Sequence, residues 1–142
     1  MITELRRYRI KSACMDSWVA FFAEAARVNE EHGIRVEYAG VEPETNTFVW
    51  LRSFDDEADR VARKGAFYGS DWWLERETFA MSHVLEYSVE FLHASLVHDG
   101  RIVNAPPVPP GPAAGSTPDG PPGGWTRSTR ATFVREAEGA ST

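Results

Sequence analysis

The sequence is poor in the residues that announce familiar chemistries. Cys14 is the only cysteine among 142 residues, which excludes an internal disulfide and any metal site built from several thiolates; its position at the start of a helix assigns it to packing. The four histidines are scattered, and no glycine-rich phosphate loop, Gly-x-Ser-x-Gly or His-Glu-x-x-His motif is present. Nucleotide, serine-hydrolase and zinc chemistry therefore lack their signatures, and no metal or other cofactor is expected. A basic surplus is missing too: the net charge is -6 and the pI near 5.2, against nucleic acid as a partner. No apolar run approaches the roughly 20 residues that cross a bilayer, and no apolar signal core follows Met1, so the expected location is cytoplasmic, away from membrane.

What the sequence does have is periodicity. Thr3 to Lys11 alternates like a strand, with Glu4, Arg6, Tyr8 and Ile10 on one face and Leu5, Arg7 and Arg9 on the other. From Met15 to Glu31, apolar Met15, Trp18, Val19, Phe22, Ala25 and Ala26 recur at helical spacing, with Ser12 or Asp16 as possible caps, and His32-Gly33 ends that helix. Ile34 to Glu42 alternates again, Pro43 to Asn46 carries turn chemistry, and a third strand follows at once, which reads as a hairpin. Asp55 or Asp56 caps a helix to about Tyr68. Ser70 caps another to about Leu85, with Trp73, Leu74, Thr78, Met81 and Leu85 toward the core, and Tyr87 to Ala94 gives a fourth strand.

The third strand, within Asn46 to Asp56, has two unlike faces. Val49 and Leu51 suit packing against helices; Phe48, Trp50, Arg52 and Phe54 point the other way, and three large aromatics are seldom left to water. The expectation is that they line a partly buried cavity with Arg52 as its charge. A sandwich core or subunit interface with an extended Arg52 stem is the alternative.

The element order predicts an α+β fold: a ferredoxin-like split β-α-β sandwich with a four-stranded antiparallel sheet, complete within residues 1–96. On this reading Phe48, Trp50 and Phe54 stand on the open sheet face, and a second copy of the chain covers them as a homodimer. Beyond it, residues 97–142 form a Pro/Gly-rich tail read as disordered: eight of the nine prolines fall between Pro106 and Pro122, leaving Trp125, Phe133 and Val134 as its only anchors.

Several of these stretches resemble the NIPSNAP family: Glu4 to Lys11 is similar to its first strand, His32-Gly33-Ile34 to its helix-to-strand junction, Asn46 to Asp55 to its third strand, and Asp71-Trp72 to the acidic-Trp pair opening its last helix. The resemblance covers about Ile2 to Ser95. It implies a dimeric α/β barrel related to antibiotic-biosynthesis monooxygenases, with one cavity per subunit. Ser12-Ala13 replaces the family's usual Pro-Gly, and Trp50 and Arg52 stand where relatives often show His and Trp.

The chemistry these residues permit is that of an aromatic cavity holding a small aromatic or anionic molecule. Tyr8, Arg52 and Arg6 are the expected catalytic residues, since arginine can stabilise an oxyanion and a phenol can pass a proton. Phe48, Trp50, Phe54, Tyr38 and Trp72 are the expected substrate-binding walls. The corresponding function is a cofactor-independent oxygenase, cyclase or isomerase of secondary metabolism, acting on an aromatic or polyketide-like substrate. Three alternatives stand beside it: a ligand-free charge network of Glu4, Arg6 and Arg52; a non-catalytic module recruiting partners through Pro-x-x-Pro segments such as Pro106 to Pro109; and haem handling through His32, His83 or His93.

Overall fold

Along Ile2–Ile10 buried and more exposed residues alternate without a break, as the sequence period requires, and this strand (β1) is the centre of the sheet. The computed structural model describes residues 1–93, 97–98, 100–102, 125–127 and 132–135. After β1 come α1 (Met15–Glu31), β2 (Arg35–Glu42), β3 (Thr47–Phe54), α2 (Glu57–Tyr68), α3 (Asp71–Met81) and β4 (Val84–His93). A short pair, β5 (Val97–His98) and β6 (Arg101–Ile102), precedes β7 (Trp125–Arg127) and β8 (Thr132–Arg135).

Local chemistry sets the boundaries. Asp56 accepts from the Asp59 backbone N–H and Ser70 from that of Trp73, so α2 and α3 are capped by side chains, each cap contributing about 1 kcal/mol. Cys14 occupies the N-cap of α1 without a side-chain bond; neither Ser12 nor Asp16 caps it. At the other end, His32 Nδ1 lies 2.9 Å from the Val28 carbonyl and Gly33 takes a φ of +77°. In the β2–β3 turn Asn46 adopts φ 54° and donates from Nδ2 to the Ile10 carbonyl at 2.8 Å, tying the hairpin to the end of β1.

The main sheet corrects the expected four-stranded sheet and dimeric α/β barrel. Among the described residues it has six strands in the order β2-β3-β1-β4-β8-β7, and it is open, with β2 and β7 as separate edges rather than partners in a closed barrel. The class remains α+β. The expectation stopped at β4 because the proline-rich composition beyond it conceals two short strands. Yet β8 pairs antiparallel with β4, Tyr87 opposite Phe133, and the two rings sit 4.9 Å apart with Phe133 only 4% exposed. The proline-rich segment from Pro106 to Pro122 lies outside the described residues.

The helices cover the face of Ile2, Glu4, Arg6, Tyr8 and Ile10. Phe48, Trp50, Arg52 and Phe54 stand on that same face, not on the open one. Phe22 packs on Phe48 and Trp50 at ring distances of 4.6 and 5.0 Å, and Trp18 lies edge-on to Phe48. The aromatics were expected opposite the helices and are the helix-facing core; half-buried Val49 and Leu51 turn to the open face instead. Large rings win this side because α1 brings Trp18, Phe21 and Phe22 to fill the same layer. On α1, Val19 points out and Phe21 in; on α3, Leu74 is exposed and Ala80 buried. No helix among the described residues is long and apolar enough to cross a membrane.

Candidate functional site

Within this aromatic layer sits an ionic cluster. Glu4, on the central strand, is fully buried, and the register places it directly opposite Arg52 of β3, also fully buried. Arg52 donates from Nε to both Glu4 oxygens at 3.3 Å and from Nη2 to Oε1 at 3.1 Å. Two residues along β1, on the same face, Arg6 donates from Nη1 to Glu4 Oε1 at 3.1 Å. Lys64 of α2 brings its Nζ to 3.6 Å from the same oxygen. Burial works against the Glu4 carboxylate, but Arg52, Arg6 and Lys64 outweigh it and hold the group far below the usual carboxylate range.

Two phenols complete the cluster. Arg6 Nε donates to Tyr8 Oη at 2.9 Å, and Arg52 Nη2 donates to Tyr68 Oη at 3.0 Å. Their acidities move apart. Burial pushes the Tyr8 phenol up, against the pull of Arg6. Burial raises Tyr68 too, but the charges of Arg52, Arg6 and Lys64 reverse that and bring it below an ordinary tyrosine. Around the guanidiniums are aromatic faces: Arg52 lies 5.1 Å from the Trp50 ring centre and 5.8 Å from that of Phe54, and Arg6 lies 5.7 Å from that of Trp50.

Of the residues the sequence singled out, the fold brings Tyr8, Arg6, Arg52, Trp50 and Phe54 together. Phe48 belongs to the adjoining apolar layer with Trp18 and Phe22. Tyr38 is 56% exposed and, opposite Leu51 in the register, stands on the open face away from the cluster. Trp72 stacks on Phe21 at 5.7 Å and donates from Nε1 to Glu24, on the outer side of α1. His83, raised as a haem ligand, lies 2.8 Å through Nε2 from Ser17 Oγ and 2.9 Å through Nδ1 from the Phe79 carbonyl, so both ring nitrogens are engaged.

Asn29, Lys64 and Tyr68 were missed. Asn29 accepts from Arg52 Nη1 at 3.3 Å and donates to the Ala25 carbonyl at 2.8 Å. It follows Phe22 and Ala25 at helical spacing, so a polar residue on an apolar stripe was the available signal. Arg60, Lys64 and Tyr68 recur every four residues along one face of α2, a pattern that marks a polar stripe without saying what it faces.

The fold is that of the NIPSNAP-domain proteins. A NIPSNAP domain protein from Burkholderia xenovorans superposes with a TM-score of 0.62 at 16% identity, over 67% of this chain and 95% of that one. A NIPSNAP family protein from Agrobacterium tumefaciens gives 0.62 at 15%, over 66% and 92%. An antibiotic biosynthesis monooxygenase gives 0.53 at 13%, over 67% and 99%. No family model matches the sequence, and no curated protein does. The NIPSNAP resemblance read from the sequence thus holds for the fold.

Proposed function

We propose that the cluster between the sheet and the helices of this NIPSNAP-like fold binds a small aromatic or anionic molecule, and that the protein is a cofactor-independent oxygenase, cyclase or isomerase acting on an aromatic or polyketide-like compound. The observation that carries this reading is a pair of buried phenols, each held by a guanidinium, Tyr8 Oη at 2.9 Å from Arg6 Nε and Tyr68 Oη at 3.0 Å from Arg52 Nη2, with burial raising the first and the cations lowering the second. Pairs of titratable groups whose surroundings drive their acidities apart are the usual basis of acid and base assignments. Tyr68, lowered by Arg52 and its neighbours, takes the base role; Tyr8, raised by burial, stays protonated and gives a proton back. Arg6 stabilises the enolate or phenolate that forms between these steps. The monooxygenase of similar fold lends this the weight of analogy and no more.

The test is turnover of phenolic and 1,3-dicarbonyl aromatic compounds, followed by absorbance and oxygen uptake. Tyr8→Phe and Tyr68→Phe should each lower kcat about 10²- to 10⁴-fold with smaller changes in KM. Unchanged turnover in both variants would end the acid–base assignment.

A homodimer belongs to the same proposal, on grounds different from those the sequence offered. The open face carries half-buried Leu5, Val49 and Leu51 with exposed Tyr38 and Leu92, bordered by the ion pairs of Arg7 with Glu90 and Arg9 with Glu86. An apolar strip framed by charge on an antiparallel sheet is a surface suited to a second copy. Sedimentation equilibrium at micromolar concentration should give twice the chain mass; a monomer there would contradict this part of the proposal.

A further inference from the structure

Two hydrogen-bond donors buried in the core have no acceptor among the described residues: Trp18 Nε1 and Trp50 Nε1. Their residues are 3% and 4% exposed, and an indole N–H shut away from water without a partner is a deficit that folded proteins seldom leave uncorrected. Both rings stand edge-on to Tyr8, at centroid distances of 5.4 and 6.4 Å. The unpaired donors therefore belong to the two indoles that flank one phenol of the cluster.

Arg6 lies beside two of these rings, its guanidinium carbon 5.7 Å from the ring centres of both Tyr8 and Trp50. Its Nε is spent on Tyr8 and its Nη1 on Glu4, while its Nη2 has no acceptor among the described residues. Arg52 differs: Nε and Nη2 hold Glu4, Nη1 holds Asn29, and Nη2 also holds Tyr68. The two guanidiniums have divided the work, Arg52 securing the sheet and Arg6 keeping one nitrogen in hand. Because Arg6 donates to Tyr8 Oη, the phenol's own proton is directed elsewhere and is a further donor. The surroundings of Tyr8 thus offer a guanidinium N–H, a phenol O–H and two indole N–H groups. All of them are donors, and two guanidiniums share the one carboxylate of Glu4.

Resting on the binding site proposed above, we infer that its ligand is a flat oxyanion, an ionised enol or phenol with a neighbouring carbonyl, whose ionised oxygen meets Arg6 Nη2 and whose carbonyl oxygen takes an indole N–H of Trp50 or Trp18. A cation or an amine would add donors to donors and is excluded by the same count. A planar body matches the flat rings that border Tyr8, those of Trp18 and Trp50.

The probe is 4-hydroxycoumarin, a planar enol acid ionised at neutral pH, compared with its neutral ether 4-methoxycoumarin. Binding is read by calorimetry and by the indole N–H resonances of the five tryptophans. The expected result is that 4-hydroxycoumarin binds, moves the Trp18 and Trp50 resonances downfield and leaves the other three nearly in place. The ether should bind about tenfold or more weakly, the factor one charge-assisted hydrogen bond supplies. Arg6→Met should erase that preference and Arg6→Lys restore part of it; Trp50→Phe, which keeps a ring and removes the donor, should weaken the enol while a measured melt shows the protein still folded. Equal binding of enol and ether, with the same two resonances moving, would overturn the anion inference and leave the binding site standing. If neither compound moves Trp18 or Trp50, the inference and the site fall together.

Discussion

Glu4 and Arg52 are direct partners across β1 and β3, both fully buried, with Arg52 Nη2 3.1 Å from Glu4 Oε1. An ion pair so placed draws its value from completeness: while both partners are present the charges offset their lost hydration, and either alone is a buried charge short of its partner. Arg52→Met should therefore lower stability by about 3 to 5 kcal/mol. Adding Glu4→Gln should recover part of the loss, a coupling that a double-mutant cycle in urea measures. Additive losses would show that Arg52 acts through Asn29 and Tyr68 instead.

The same carboxylate sets an acid limb. Its pKa is depressed in the folded protein, so its contribution is fully present above the ordinary value of 4.5 and is lost as the pH falls toward the folded value. Melting temperature should drop through that window in the native protein and less steeply in Glu4→Gln. Equal slopes would mean that exposed carboxylates carry the acid transition.

At alkaline pH the two phenols should separate. Tyr68, depressed, ionises first and adds stability above the ordinary tyrosine value of 10.0; Tyr8, raised, ionises last and loses stability as the pH rises through its folded value. In a phenolate absorbance titration, Tyr68→Phe should delete a step below the ordinary tyrosine value and Tyr8→Phe a step above it. Loss of a step on the opposite side in either variant would contradict the assignment.

Phe133 makes the chain beyond β4 part of the core. Phe133→Ala removes a ring that is 4% exposed and packed on Tyr87, and should cost about 3 to 5 kcal/mol. Ending the chain at Asp99 should cost at least as much, since it also bares the β4 edge that β8 covers. A shortened chain with an unchanged melting temperature would show that β8 is dispensable.

The sequence disclosed partners more readily than places. Alternation correctly grouped Phe48, Trp50, Arg52 and Phe54, and grouped Glu4 with Arg6 and Tyr8, because a period of two states which residues share a face. It does not state which face the helices take, and Val49 and Leu51 were the conventional choice. Only register sets Glu4 against Arg52, and register is a property of two strands together. Lys64 and Tyr68 enter the cluster through the docking of α2, which no local pattern encodes. Phe133 stood out as an anchor of the tail, but its strand was hidden because Thr-Phe-Val-Arg, four residues long, is too short to show a period after a proline-rich stretch.

The proposed ligand site and a closed charge network are the two states open to the Glu4, Arg6, Tyr8, Arg52 and Tyr68 cluster, and ligand binding separates them. The direct measurement is a crystal structure of the protein soaked with 4-hydroxycoumarin. The coumarin should lie beside Tyr8, its enol oxygen within hydrogen-bond distance of Arg6 Nη2 and an indole nitrogen of Trp50 or Trp18 on its carbonyl. Ordered water on both indole nitrogens, with the compound absent or lying on the open face by Leu5 and Leu51, would contradict it.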